Sequence, residues 1–314
     1  MGILGEAKQA AVGARQELSP TTGGAPALSL RSPADVPAEP DPAGRFRRRV
    51  NPAIALREVW DAREIVRSIA ERDLRARYKQ TILGTAWAVV NPLVLMAVFA
   101  VVFSRVGRVA AEGVPYAVFA FIALVPWTFF SSSISVGGTS LVSNLPIVNK
   151  VYLPREVFPL AGIVVAAVDA CISCVVLAAI FAITGTVPKM TSYYVPLLLV
   201  VLVTFTIGTT LLSATLLIYL RDLRYALPLV LQVGLLVTPV AYGTQFITHD
   251  RRLLVVYAAL DPLVPVLDGL RRTVLLGLRP QWDLLAAGAA TSVLVLAVGY
   301  WLFKRLETGI ADVA

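Results

Sequence analysis

Asp169 stands out because it is an acidic residue in the middle of a long apolar run, at about residues 157–184. A charged side chain within hydrocarbon is costly, and it usually faces a cavity or pairs with another group. The residue type leaves both roles open: a structural ion pair and a place on a translocation path. A proton relay would need several such groups, and the other apolar runs carry none at their centres.

The remaining reactive residues are too few for most chemistries. His249 is the only histidine, so a histidine-based metal site within one chain is implausible. Cys171 and Cys174 have the spacing of a redox motif, but they lie in the same apolar run, where thiolates are disfavoured. We therefore predict two inert, buried thiols.

The sequence contains neither a GxxxxGK[ST] phosphate loop nor a GxSxG elbow. No pair of carboxylates and no Asp-rich cluster stands beside an apolar run. We therefore predict no catalytic residue and no metal or cofactor in this chain. The pattern favours transport, with any ATP chemistry left to a partner.

Composition places the chain in a membrane. It is 57% hydrophobic and 15% charged with a mean hydropathy of +0.74, whereas soluble domains have about 25% charged residues. Runs of roughly 20 apolar residues can cross a bilayer as helices. We predict an all-α integral membrane protein with six transmembrane helices, at about 82–104, 116–137, 157–184, 193–219, 226–247 and 283–303.

The charge pattern predicts the orientation. With the N-terminus inside, the cytoplasmic segments hold roughly twice as many Lys and Arg as the outer ones. We therefore expect both termini in the cytoplasm. The net charge of +8 reflects this bias at span ends rather than a nucleic-acid-binding surface, which would interleave basic and aromatic residues.

Three regions follow from the pattern along the chain. Residues 1–50 are rich in Ala, Pro, Gly and Ser, which predicts a disordered cytoplasmic arm. Residues 51–80 carry apolar residues at helical spacing opposite many arginines, which predicts an amphipathic helix at the membrane interface, with Trp60 on its apolar side. Residues 81–310 form the six-span domain.

The segment at about 248–282 is too apolar for a solvated loop. Asp261-Pro262 resembles a helix N-cap followed by proline at the first helical position. We predict two short re-entrant helices before the last span, acting as a gate or lying flat at the interface. In the loop at 144–160, three prolines restrict the chain to one brief helix around Ile147 to Tyr152.

Two long motifs, YKQTILGTAWAVVNPL at 78–93 and NKVYLPREVFPL at 149–160, give the chain a family resemblance. With RDL at 221–223 and DPLVPVLDGLR at 261–271, they resemble the membrane (permease) subunit of bacterial ABC transporters that export polysaccharides such as O-antigen, teichoic acid and cell-wall galactan. The resemblance covers about residues 56–310.

The resemblance implies roles for groups of residues. A diphosphate-binding entrance gate would comprise Arg72, Arg75, Arg77, Tyr78 and Lys79. A helix that couples to the ATPase would involve Asn144, Ile147, Lys150, Tyr152, Arg155 and Glu156. The outer gate would comprise Asp261, Pro262, Pro265, Asp268 and Arg271. A subset of Tyr116, Phe119, Trp127, Phe130, Tyr219, Tyr242 and Tyr300 would line a channel for sugars.

It also implies partners: a dimer of ATP-binding subunits that hold ATP and Mg²⁺, a second copy of this chain, membrane lipid, and a polysaccharide on polyprenyl diphosphate. The expected location is the plasma membrane of a bacterium. Two rival functions stay open: export of a drug or small lipid, and a polytopic enzyme acting on lipid-linked sugar. The enzyme would need acid and base residues converging at one interface, and the sequence offers none.

Overall fold

The computed structural model describes residues 60–79, 86–104, 114–148, 153–220, 222–244, 247 and 250–306. These residues form helices and short connections, with no strand among them. The predicted arm at 1–50 and the first residues of the predicted interfacial helix lie outside the described residues.

Ten helices are named here in chain order. They are α1 (Arg63–Lys79), α2 (Trp87–Ser104), α3 (Tyr116–Ser143), α4 (Leu145–Val148), α5 (Val157–Thr184), α6 (Val195–Tyr219), α7 (Leu223–Val237), α8 (Arg251–Leu260), α9 (Leu263–Leu270) and α10 (Trp282–Leu306). A 3-10 turn at Met190–Tyr194 leads into α6, and a π-helical turn at Arg271–Leu276 continues α9.

Four helices are long and apolar enough to cross a membrane: α3, α5, α10, and α6 with its leading turn. The 28 residues of α5 extend about 42 Å at 1.5 Å per residue, more than the hydrocarbon thickness of about 30 Å. These helices coincide with four of the six predicted spans and have the length and composition that a span needs. The first and fifth predicted spans coincide with the shorter apolar helices α2 and α7, and their crossing stays a prediction.

The core is organised around α3, which is buried along most of its length, whereas α5, α6 and α10 expose apolar surface. Small residues let the backbones approach closely, as is usual between helices in lipid. Gly137 of α3 faces Gly162 of α5, and Gly208 of α6 faces the backbone of α10 near Leu296 and Gly299.

Helix α1 packs against the first half of α5. Its Ala70 forms a buried cluster with Ala161 and Val165, and Val66 and Leu74 extend the same face. Trp60, just before α1, is instead exposed. The amphipathic helix is therefore present, and its apolar stripe contacts another helix; its placement in the plane of the membrane stays a prediction.

The predicted pair of short helices before the last span is present as α8 and α9. The two segments are bent by 113° at the Asp261–Pro262 break. Asp261 stabilises the bend, because its carboxylate accepts a hydrogen bond from the backbone N–H of Leu263 at 3.0 Å. After the π-helical turn, Gly277 adopts a positive φ of 72°, which favours glycine and reverses the chain toward α10.

The prediction that the two cysteines are buried is wrong. Cys171 and Cys174 are both free thiols on the exposed surface of α5. Since α5 is apolar around its whole circumference, its sequence does not reveal which side contacts other helices.

We predict that Gly208→Ala lowers the stability of the protein by about 1–3 kcal/mol, the usual effect of overpacking. A Cβ at this position would lie 2.6 Å from the backbone nitrogen of Leu296, so α6 and α10 must separate. The measurement is the thermal midpoint of the detergent-solubilised protein. Val200→Ala, at an exposed position of the same helix, is the control. Equal midpoints for the two variants would contradict the close packing of α6 on α10.

Candidate functional site

Three arginines of α1, at positions 72, 75 and 77, each donate hydrogen bonds to other side chains of this protein. Arg72 donates to Asp73 and, at 2.8 Å, to the side-chain oxygen of Asn144. Arg75 pairs with Glu71 at 3.3 Å on the exposed face of the helix. The entrance arginines predicted from the sequence are thus already ordered by neighbours. The side chains of Tyr78 and Lys79 lie outside the described part of the chain.

Asp169 pairs with the third of these arginines. Its carboxylate accepts a hydrogen bond from Arg77 at 2.7 Å, and both side chains are partly buried. The pair joins the C-terminal turn of α1 to the twelfth residue after the start of α5, about 18 Å along that helix. A guanidinium at this depth offsets the cost of a carboxylate within an apolar helix.

The connection between α3 and α5 is the second component of the site. Asn144 ends α3, and its side-chain amide donates to the carbonyl of Ser140 at 2.8 Å while its oxygen accepts from Arg72. The helical turn α4 follows at once, and its Val148 packs into a cluster with Phe158 and Phe303. The predicted brief helix therefore begins earlier than expected. The side chain of Ile147 and residues 149–152, including Lys150 and Tyr152, lie outside the described residues.

Glu156 and Lys304 form a contact that the sequence did not predict. Glu156, at the N-terminus of α5, is buried, and its carboxylate pairs with the ammonium group of Lys304 near the end of α10. Arg155 is half-buried in the preceding turn. The three pairs Arg72–Asn144, Arg77–Asp169 and Glu156–Lys304, called here the polar layer, tie α1, α5 and α10 to the α3–α5 connection.

The π-helical turn after α9 begins with a buried charged residue, Arg271. Arg271 is 4% exposed, and its guanidinium donates to the carbonyls of Phe119, Pro239, Val240 and Tyr242. It also lies over the ring of Phe119, 3.8 Å from the ring centroid. Arg271 thus donates hydrogen bonds to backbone oxygens of the segment that follows α7. These oxygens have no partner within a helix, because the segment is not helical.

Two carboxylates of the α8–α9 pair bind the same segment after α7. The hydroxyl of Thr238 donates to Asp261 at 2.6 Å, and that of Thr244 donates to Asp268 at 3.1 Å. Pro262 stands at the bend between α8 and α9, and Pro265 packs against Gly288 of α10. The five residues predicted for the outer gate therefore lie in or next to the α8–α9 pair, and Asp261, Asp268 and Arg271 bind the segment that follows α7.

The seven aromatic residues assigned to a channel occupy several places within this chain. Phe119, Trp127 and Phe130 are buried within this chain. The hydroxyls of Tyr116, Tyr219 and Tyr242 donate to backbone carbonyls, and Tyr300 packs beside the cluster that contains Phe303. Their part in a channel stays a prediction.

Among the described residues, no three of His, Cys, Asp and Glu lie close enough together to hold a metal ion. Apolar helices long enough to cross a bilayer, together with a bent helix pair, indicate a multi-pass membrane protein.

The chain belongs to the ABC-2 type transporter family, whose membrane domain matches residues 64–275. That range begins in α1 and ends in the π-helical turn after α9. Such a permease belongs to an ABC transporter, which implies an ATP-binding partner.

Curated relatives are named O-antigen export system permease protein RfbA. The one from Klebsiella pneumoniae is 26% identical over 246 residues, covering 78% of this chain and 93% of the relative. The one from Myxococcus xanthus is 27% identical over 257 residues, covering 82% and 98%. The resemblance predicted from the motifs is confirmed.

We predict that Arg77→Gln destabilises the protein by about 1–3 kcal/mol, because it leaves Asp169 without its guanidinium in an apolar helix. Adding Asp169→Asn should recover much of the loss, since the charge is then absent. The measurement is the thermal midpoint in detergent. Arg75→Gln, which removes a more exposed pair on the same helix, is the control; equal effects of Arg75→Gln and Arg77→Gln would refute a structural role for the pair.

Arg271→Lys should destabilise the protein by roughly 3–5 kcal/mol, although the charge is kept. A lysine ammonium has three donors in a compact group and does not span four carbonyls as the guanidinium does. The matched control is Arg272→Lys, whose guanidinium is partly exposed. Thermal midpoints decide, and an unchanged value for Arg271→Lys would contradict the role of the guanidinium in holding the segment after α7.

Proposed function

We propose that this chain is the permease subunit that exports a polyprenyl-diphosphate-linked polysaccharide across the bacterial plasma membrane. The observation that carries the proposal is the similarity to the two RfbA permeases over most of this chain and nearly all of theirs. The chain itself hydrolyses no ATP in this proposal; a dimer of ATP-binding subunits does so.

The arginines of α1 suit a diphosphate-bearing cargo. Guanidinium groups bind phosphate oxygens in pairs, with two parallel hydrogen bonds. Asn144 and Asp169 accept hydrogen bonds from Arg72 and Arg77, while Arg75 is the more exposed. When the lipid arrives beside α1, its diphosphate would replace Asn144 and Asp169 as the hydrogen-bond acceptor of these arginines.

The α3–α5 connection is the proposed contact with the ATP-binding subunit. It combines the turn α4 with the polar layer, so a displacement of this segment reaches α1 through Arg72 and α10 through Lys304. Closure of the ATP-binding subunits would move the segment and shift α1 at the entrance.

In this proposal two copies of the chain enclose the path, both termini are cytoplasmic, and the α8–α9 pair lies at the outer mouth. The excess of Lys and Arg in the segments assigned to the cytoplasm supports this orientation. Helices α2 and α7, whose apolar side chains are exposed on this chain, complete the six spans.

Depletion of the protein in its bacterium tests the cargo. We expect a long polyprenyl-linked polysaccharide to accumulate in the cytoplasm-facing lipid pool while the surface glycan decreases. The measurement is sugar analysis of lipid extracts and of the cell surface before and after depletion. Re-expression of the protein is the control and should reverse both changes.

Other results would point to other functions. Accumulation of short, incomplete glycan intermediates would indicate an enzyme of glycan assembly. An unchanged glycan pool together with altered drug tolerance would refute polysaccharide export and favour export of a small molecule.

A further inference from the structure

A cleft lies at the end of α10 opposite to Lys304. It has a volume of about 880 Å³ and is open to the surroundings. Its lining residues are Arg251, Arg272, Leu278, Arg279, Pro280, Gln281, Trp282 and Asp283. Three guanidinium groups thus surround one carboxylate, which gives the cleft an excess of positive charge.

The carboxylate in the cleft does not neutralise all three arginines. Asp283 pairs with Arg251 at 2.9 Å. Arg272 donates through Nε to the carbonyl of Arg279 at 3.3 Å and lies 4.0 Å from Asp268, which is at the limit of an ion pair. Within the described ranges, the terminal nitrogens of Arg272 have no acceptor and no carboxylate pairs with Arg279. The cleft therefore has guanidinium donors left for an anion.

Apolar and aromatic groups border these donors. Leu278 and Trp282 line the cleft and are about half exposed, and Trp282 makes an edge-to-face contact with Tyr194 at 5.5 Å between ring centroids. Tryptophan and tyrosine concentrate at the boundary between headgroups and hydrocarbon. A ligand here would place an anionic group among the arginines and an apolar chain against Leu278 and Trp282.

We propose that this cleft binds the phosphate group of a lipid. Arginine pairs with phosphate oxygens by two parallel hydrogen bonds, and basic pockets between membrane helices bind lipid headgroups. Two sources share this chemistry: a phospholipid headgroup of the surrounding leaflet and the diphosphate of an isoprenoid lipid. The site lies at the other end of α10 from the polar layer. Binding of a phospholipid headgroup there does not depend on the proposed cargo, whereas binding of an isoprenoid diphosphate rests on the proposed function.

Native mass spectrometry of the full-length protein in detergent tests the proposal. The probes are dioleoylphosphatidylglycerol and farnesyl diphosphate, each compared with a phosphate-free partner, dioleoylglycerol and farnesol. We expect a phosphate-bearing probe to bind, and Arg272→Gln combined with Arg279→Gln to weaken that binding about tenfold. Arg252→Gln, on α8 outside the cleft lining, is the matched control and should change nothing.

The arms of the experiment separate the two sources. Weakening of phosphatidylglycerol binding by the double variant identifies a phospholipid headgroup, and weakening of farnesyl diphosphate binding identifies an isoprenoid diphosphate. Arg279→Lys, which keeps the charge, should retain most of the binding. If the double variant misfolds, as judged by size-exclusion elution, the comparison of Arg279→Gln with Arg279→Lys decides alone.

Three results would overturn the proposal. One is that the parent and the cleft variants bind both phosphate-bearing probes equally. Another is an equal loss in Arg252→Gln, which would indicate a general surface charge effect. The third is that farnesol and dioleoylglycerol bind as strongly as farnesyl diphosphate and dioleoylphosphatidylglycerol. That result would indicate an apolar surface without a phosphate site.

Discussion

Within a membrane, every backbone polar group needs a partner from the protein, and the segment after α7 meets this constraint through Arg271. A helix that ends at Val237 leaves carbonyl groups without intrahelical partners. One buried guanidinium donates three hydrogen bonds to this segment and a fourth to Phe119 of α3. The carboxylates of Asp261 and Asp268 accept hydrogen bonds from two threonines of the same segment. The bent pair α8–α9 can pack against a non-helical segment because these hydrogen bonds give partners to the polar groups of both.

The opposite end of the bundle depends on a different principle. Its helices approach closely through small residues, and three polar pairs connect α1, α5, α10 and the α3–α5 connection. Closely packed helices resist small displacements, because their interior has few voids. Ion pairs also have a definite geometry, but each group can form a new pair with another partner. In the proposed function, this end of the molecule binds an anionic lipid and an ATP-binding partner, and such contacts would let it respond to both.

The sequence predicted those features that depend on local chemistry. The long apolar runs predicted α3, α5, α6 and α10, and Asp261-Pro262 predicted the break before α9. The partners of Arg72, Arg271 and Lys304 could not be predicted, because they lie 29 to 152 positions away in the chain. The acceptors of Arg271 are backbone carbonyls, which every residue type carries. The exposure of Cys171 and Cys174 was missed for a related reason: an apolar helix in lipid does not distinguish its packed side from its exposed side.

Transport by the reconstituted complex tests the central claim most directly. The protein and its ATP-binding partner would be inserted into liposomes that carry a lipid-linked polysaccharide in the leaflet exposed to ATP, and an added glycosidase would report how much remains accessible. The account predicts that ATP makes the polysaccharide resistant to the glycosidase, and that omitting this chain abolishes the effect. Full accessibility after ATP hydrolysis by the intact complex would contradict it.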